Sequence, residues 1–189
     1  MKRKSHLGLG KKLSFEYFAS ASKYGRSAFL LGCMQPDWNP ATYLKGSRTY
    51  QWLRGHNYEN ARRCIERLAT RLEGRDKWGV LSYYRLGKLI HYITDAFTQA
   101  HNNWFDEDLS VHCEYENALQ EHFLSRLERP LTPRRELLVP SESIGELIHR
   151  THLRYESHGG DLITDSRYVF AVATEVLSRL FAGAEAKTA

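Results

Sequence analysis

Two pairs of a histidine and a carboxylate, each with a spacing of four residues, stand close together in this sequence. They are His91 with Asp95, and His112 with Glu116. On a helix, residues four apart lie about 40° from each other around the axis, so both side chains of a pair project from one face. Such a pair can bind one metal ion through both side chains, because its two donor atoms converge on one point. The segment therefore predicts two successive helices that share a buried metal cluster.

His101 adds a fifth candidate ligand, because it lies six residues after Asp95 and near the predicted end of that helix. Nitrogen and oxygen donors in this mixture suit zinc, with manganese or iron as weaker candidates. Five ligands exceed what one structural zinc needs, so two or more metals and further ligands are expected. The natural additional candidates are Asp37, in a proline-rich run, and His56, at the start of a helix.

The less specific interpretation is structural. A single histidine on an apolar helix is usually a hydrogen-bonded core residue, and a His–Glu pair four residues apart is often a solvated surface pair. Two such pairs together with His101 in one short segment favour the metal interpretation.

Helical periodicity dominates the chain, and strand alternation is scarce, so we predict an all-α, single-domain multi-helix fold. The length of 189 residues suits one domain, expected at residues 1–182, with a flexible tail at 183–189. No apolar run is long enough for a transmembrane segment. The predicted helices cover residues 11–33, 57–73, 78–101, 109–128, 143–156 and 165–182, with Asp106 and Asp108 as N-cap candidates for the fourth.

The net charge of +5 favours an anionic partner such as a phosphate ester, a lipid headgroup or nucleic acid, although solubility alone would also explain it. The three cysteines are not closely spaced, which favours a reducing compartment over a disulfide framework. The basic start of the chain is not followed by the apolar core of a signal peptide. A cytoplasmic location is therefore expected.

The order of these motifs resembles the zinc-dependent phospholipase C / S1–P1 nuclease superfamily over about residues 5–125. The resemblance is carried by His-x3-Asp-x5-His, then His-x3-Glu, with an upstream Pro-Asp, a later His and the early Ser5-His6-Leu7. It implies an all-helical fold with a trinuclear zinc site, and two or three zinc ions are expected here. The ligand sets that it implies are Asp37, His56, His91 and Asp95 for the first zinc, His101, His112 and Glu116 for the second, and His6 with a bridging Asp95 for the third.

The sequence departs from the family in two places. Secreted members bind the third zinc through the amine and carbonyl of an N-terminal Trp, whereas Met1 stands here, five residues before His6. The family often has Pro between the Asp and the second His of the long motif, where this chain has Gln99, so the helix is expected to run on toward His101.

The resemblance implies a zinc-dependent phosphoric ester hydrolase, most simply a phospholipase C-like enzyme acting on a phospholipid or related phosphodiester with a metal-activated water. Asp37 is implied as the catalytic proton acceptor, with a purely metal-binding role as the alternative. Trp38 stands where phospholipases have an aromatic residue that contacts the headgroup; packing beside a turn is the alternative.

The substrate stays open at this point. A phospholipid substrate predicts transient contact with a membrane surface and an exposed apolar rim, for which Trp38, Trp52, Trp104 and Phe105 are candidates. A single-strand nuclease or nucleotidase, with nucleic acid as the substrate, would use stacking aromatics and basic residues. Its candidates are Arg48, Tyr50, Trp52, Arg54, Arg62 and Arg63. A non-catalytic, metal-stabilised binding protein is the third hypothesis.

Overall fold

The described chain is helical throughout. The computed structural model describes residues 1–43, 55–105 and 108–185, and within these ranges it contains eight α-helices and no strand. The helices are α1 (Arg3–Tyr17), α2 (Lys23–Trp38), α3 (Pro40–Tyr43), α4 (Tyr58–Leu72), α5 (Val80–Ala96), α6 (Leu109–Leu127), α7 (Ile144–Glu156) and α8 (Leu162–Glu185), with short 3-10 helices at Gln99–His101 and Arg135–Leu137. The prediction of an all-α fold is confirmed.

The first predicted helix, at 11–33, is wrong as a single element. The chain forms two helices, and the first begins at Arg3. No Gly or Pro separates them; instead Ser22 caps α2 by accepting a hydrogen bond from the Gly25 amide at 3.1 Å. Such a cap satisfies an amide that the new helix leaves without a partner, and this allows a second helix to start after a short link. The result is the α1–α2 hairpin.

The predicted end of the 11–33 helix at residue 33 is also wrong. α2 continues to Trp38 and contains Pro36 in its last turn. Proline there removes only the bond that its amide would give to the Gly32 carbonyl. Asp37, in the proline-rich run, is consequently held on a helix.

α5 ends earlier than predicted. It stops at Ala96, and the chain turns through the 3-10 helix that carries His101. The Asn102 side chain closes this turn by donating to the carbonyls of Ala96 at 3.0 Å and Thr98 at 2.8 Å. The expectation that Gln99 lets the helix run on to His101 is therefore wrong, because side-chain bonds from Asn102 replace the helical ladder.

α2 and α5 cross with almost no space between their backbones. A Cβ atom on Gly87 would lie 2.1 Å from the Phe29 carbonyl oxygen, and one on Gly32 would lie 2.2 Å from that of Tyr84. Only glycine permits two helices to approach so closely at both positions. The crossing brings Asp37 of α2 to the end of α5 that carries His91 and Asp95.

The C-terminal helices close the core around α5. Apolar side chains of α8, among them Val169, Val172 and Val176, are fully buried. α8 continues to Glu185, three residues into the segment expected as a flexible tail, and residues 186–189 lie outside the described ranges. Among the described helices, none has the length and apolar character needed to cross a bilayer.

Candidate metal centre

All eight residues predicted as metal ligands lie in one cluster, although six parts of the chain contribute them. His6 belongs to α1, Asp37 to α2, His56 to the link before α4, His91 and Asp95 to α5, His101 to the 3-10 helix, and His112 and Glu116 to α6. Two triads of donor atoms, one from His6, His91 and Asp95 and the other from Asp37, His56 and His91, each fit within 4.8 Å. Metal binding by these atoms stays a prediction.

Asp95 is the centre of the cluster and is fully buried. Its Oδ2 lies 3.1 Å from His91 Nε2 and 3.2 Å from His56 Nδ1. Its Oδ1 faces the other side, at 3.2 Å from His6 Nε2 and 3.6 Å from His101 Nε2. One carboxylate thus presents each oxygen to a different group of imidazoles, which is the arrangement of a bridging ligand.

The first group joins α2 to α5. His56 Nδ1 and His91 Nε2 lie 3.3 Å apart, and each lies 3.7 Å from Asp37 Oδ1. These atoms match the first set implied by the resemblance, with Asp95 Oδ2 as the fourth donor.

The second group is more exposed and is built on α6. Glu116 Oε1 lies 3.4 Å from His101 Nε2 and 3.8 Å from His112 Nε2. α6 begins at a cap by Asp108, which accepts hydrogen bonds from the amides of Ser110 and Val111. This confirms one of the two predicted caps; the other, Asp106, lies outside the described residues.

Met1 lies beside His6 and Asp95, the residues that the resemblance implies for the third zinc. Its ammonium donates to Asp95 Oδ1 at 2.8 Å, lies 3.1 Å from Glu116 Oε1 and contacts His101 Nε2, while its carbonyl oxygen lies 3.1 Å from His6 Nε2. An amine and a carbonyl of residue 1 thus lie beside His6 and Asp95, although no Trp stands at this position.

Partners outside the cluster orient two of the imidazoles. His91 Nδ1 donates to the Cys33 carbonyl at 2.8 Å, which leaves Nε2 to face the centre. His56 Nε2 lies 3.0 Å from Thr42 Oγ1, and that hydroxyl donates its own hydrogen to the Pro36 carbonyl. The hydroxyl therefore accepts from His56 and directs the Nδ1 lone pair inward. Fixing the tautomer in this way is a regular feature of histidine ligands.

The charges in the cluster compensate each other. Burial opposes the charge of Asp95, but His101, the Met1 ammonium and His91 outweigh it and hold the pKa of this carboxyl well below its usual range. Burial also opposes the Met1 ammonium, yet Asp95 and Glu116 raise its pKa to about 10. Burial and the neighbouring His91 lower the pKa of His6 to about 4. His6 is therefore neutral at physiological pH, the form that binds metal.

The spacing of the donor atoms fits zinc. Donors 2.0–2.1 Å from a tetrahedral zinc lie roughly 3.4 Å from one another. The separations around Asp95, His56 and His91 are 3.1, 3.2 and 3.3 Å, and that between His101 and Glu116 is 3.4 Å. Imidazoles and carboxylates held at these distances are a donor set that zinc accepts.

The cluster opens into a cleft of about 930 Å³. Lys2, Arg3 and Lys4 line it together with Leu7, Met34, Cys113 and Gln120, next to the metal-ligand candidates Asp37, His56, His101, His112 and Glu116. Donors on one wall and basic side chains around them suit a ligand that carries a phosphate.

The aromatic residues proposed as substrate contacts lie in different surroundings. Phe105 packs near His112, with ring centroids 6.0 Å apart, whereas Trp104 packs on Tyr155. Trp38 is half exposed and is not among the described residues that line the cleft, so its substrate role stays a prediction. Of the nuclease candidates, Arg62 pairs with Glu66; Arg48, Tyr50, Trp52 and Arg54 lie outside the described residues.

Comparison with known protein families decides the class. A family model described as zinc dependent phospholipase C matches residues 7–162, most of the chain. The protein belongs to this zinc-dependent phospholipase C family. The resemblance inferred from the motifs is confirmed, and the match extends beyond residue 125, where the recognisable motifs end. Comparisons with curated proteins and with solved structures gave no match.

Asp165 supports the second group of this cluster from outside the matched region, and it was not predicted from the sequence. It is fully buried on α8. Its Oδ2 accepts from the Gln99 amide at 2.9 Å and from the Tyr115 hydroxyl, and its Oδ1 accepts from the Tyr155 hydroxyl at 2.6 Å. Asp165 therefore holds the 3-10 helix of His101 and the turn of α6 before Glu116. The signal was its position four residues before Val169, on the apolar stripe of α8.

The charge of Asp165 makes stability depend on pH. Burial raises the pKa of this carboxyl to about 6, against the opposing effect of the hydrogen bonds from Tyr115, Tyr155 and Gln99. The folded state then holds the proton more tightly than the unfolded state, so the free energy of unfolding falls as pH rises from about 4 to 6. The difference from the ordinary value of 3.8 corresponds to roughly 3 kcal/mol.

We expect Asp165→Asn to remove this fall, because the amide keeps an acceptor oxygen but cannot ionise. The measurement is urea unfolding of both proteins with a chelator present, at a series of pH values across that window. Asp161→Asn is the control, since Asp161 is an exposed cap of α8 and Asn caps equally well. If the difference in the free energy of unfolding between wild type and Asp165→Asn stayed constant with pH, the assignment would be contradicted.

Proposed function

We propose that this protein hydrolyses phospholipids as a phospholipase C, using two or three zinc ions held by the predicted ligands. The observation that supports this most strongly is the convergence of eight imidazole and carboxylate side chains beside an open, basic cleft. Membership of the zinc-dependent phospholipase C family supports a hydrolase of this class and its use of zinc. The substrate and the number of ions are our proposal.

We propose the ligand sets that the resemblance implies. They are Asp37, His56, His91 and Asp95 for the first zinc, His101, His112 and Glu116 for the second, and His6 and Asp95 for the third, to which the Met1 amine and carbonyl are added. Bound zinc would lower the pKa of water toward neutrality and neutralise negative charge on the phosphoryl oxygens.

The remaining work belongs to side chains of this chain. Lys2, Arg3 and Lys4 attract the anionic phosphodiester to the cleft through their positive charge. Asp37 lines the cleft and is partly accessible, so its carboxylate can accept the proton that the attacking water releases. Cys33, Thr42 and Asp165 act as positioning residues, because they hold ligands in place without reaching the cleft.

The test combines a metal count with turnover. We expect elemental analysis of the purified protein to find two or three zinc ions per chain. We also expect zinc-loaded protein to cleave a short-chain phosphatidylcholine, kept below its micelle-forming concentration, into diacylglycerol and phosphocholine. A parallel assay with single-stranded DNA separates this proposal from the nuclease alternative. Zinc-loaded protein that leaves both substrates intact would favour the non-catalytic binding protein.

A further inference from the structure

The positive charge of the protein is concentrated in the α1–α2 hairpin. Residues 1–38 contain seven lysines and arginines but only two acidic residues, a net charge of +5. This equals the net charge of the whole chain, so the basic and acidic residues in the rest of the chain are equal in number. Part of this charge, from Lys2 to Lys4, lines the cleft. The rest lies farther along the hairpin.

Large apolar side chains are exposed on the same hairpin. Phe15 is 78% exposed, the largest exposed fraction among the large apolar side chains that the structure describes. Tyr24 and Leu31 of α2 are also exposed, and each lies one helical turn from Ser27. We call this set of residues the hairpin surface: Lys11, Phe15, Lys23, Tyr24, Arg26 and Leu31.

The hairpin surface lies directly beside the cleft. A second cavity, of about 390 Å³, lies between α1 and α2 and is lined by Lys11, Phe15, Lys23 and Leu30, among others. Leu7 and Met34 line the catalytic cleft, and Lys11 and Leu30 lie one helical turn beyond them on their respective helices. The two cavities therefore occupy consecutive turns of the same helix pair.

We propose that the hairpin surface docks the protein onto anionic lipid bilayers, next to the entrance of the cleft. The inference rests on the proposed function, because it explains how a lipid-cleaving cleft would reach its substrate. Lys11, Lys23 and Arg26 would attract the negative surface, and Phe15 and Leu31 would enter the boundary between headgroups and acyl chains. A nucleic acid would accept the charge and could stack on Phe15, but it offers no partner for the aliphatic Leu31. A bilayer satisfies both kinds of side chain.

The test measures sedimentation with vesicles of phosphatidylcholine alone and of phosphatidylcholine mixed with phosphatidylserine. We expect binding to the mixed vesicles only, and weakening as salt is added. Lys11→Glu with Lys23→Glu should weaken it at least about tenfold, because each basic side chain near an anionic surface contributes substantially to binding. Phe15→Ala should weaken it by about tenfold through lost apolar burial.

The controls are matched in charge and exposure. Arg67→Glu with Arg71→Glu reverses two exposed cations on α4, and Leu153→Ala removes an exposed apolar side chain on α7. These variants should bind vesicles like wild type. All variants should cleave the monomeric short-chain lipid at the wild-type rate. Wild-type protein that leaves this lipid intact but binds the mixed vesicles would count against the proposed function and not against docking. Equal vesicle binding by the hairpin and control variants would overturn the inference. Loss of single-stranded DNA binding in the hairpin variants, with vesicle binding intact, would also overturn it.

Discussion

Asp95→Asn should abolish stable zinc binding and, with it, hydrolysis. The two oxygens of Asp95 face two different groups of imidazoles, and Asn offers one neutral oxygen in their place. Loss of an outer partner of a ligand already costs 10–100-fold in metal affinity or activity. We therefore expect a fall in zinc affinity of more than about 100-fold for this central ligand.

The measurement is the zinc content per chain after dialysis against a weak chelator, together with cleavage of the short-chain lipid. Glu121→Gln is the control, because it makes the same chemical change at an exposed site on α6. Urea unfolding of both variants in chelator, with a cooperative transition like that of the wild type, would establish that the fold is retained. Wild-type zinc content and turnover in Asp95→Asn would contradict the proposed metal centre.

Gly87→Ala should strongly destabilise the protein. The added Cβ would lie 2.1 Å from the Phe29 carbonyl oxygen and 2.8 Å from the Cys33 amide nitrogen, both of which are backbone atoms that cannot rotate away. α2 must therefore move away from α5. We expect the free energy of unfolding to fall by about 3 kcal/mol, the upper end of the usual cost of overpacking.

This displacement should also weaken zinc binding, because Asp37 lies on α2 and His91 on α5. Urea unfolding in chelator measures the first effect, and zinc titration of the folded protein measures the second. Gly145→Ala is the matched control: a Cβ there meets its nearest neighbours at an ordinary 4.0 Å. Alanine suits a helix better than glycine, so the control should be neutral or slightly stabilising. Wild-type stability of Gly87→Ala would show that the crossing of α2 and α5 is not tight.

The two His–carboxylate pairs were predictable from the sequence because their pattern is local. The spacing from His91 to Asp95, and from His112 to Glu116, places each pair on one helical face whatever the rest of the chain does. The structure brings these pairs together with His6, Asp37, His56 and His101. Most of α8 was predictable for the same reason, since its apolar stripe repeats with the helical period.

The boundaries near the site were not predictable in this way. The break between α1 and α2 depends on a serine cap in a stretch whose apolar period reads as continuous. α2 continues through Pro36 because a proline in the last turn removes only one backbone hydrogen bond. α5 ends early because the Asn102 side chain donates to the carbonyls of Ala96 and Thr98. Propensity alone gives the opposite expectation at each of these places.

The sequence by itself determined a helical chain and a set of donor side chains suited to zinc, because helical periodicity and ligand chemistry are properties of neighbouring residues. Only the tertiary structure decided which donors meet. Asp37 lies beside His56 and His91 because Gly32 and Gly87 let α2 and α5 approach, and His101 lies beside Glu116 in an arrangement that Asp165, a residue of the last helix, supports. These relations join residues far apart in the chain, and packing rather than periodicity sets the distance between them.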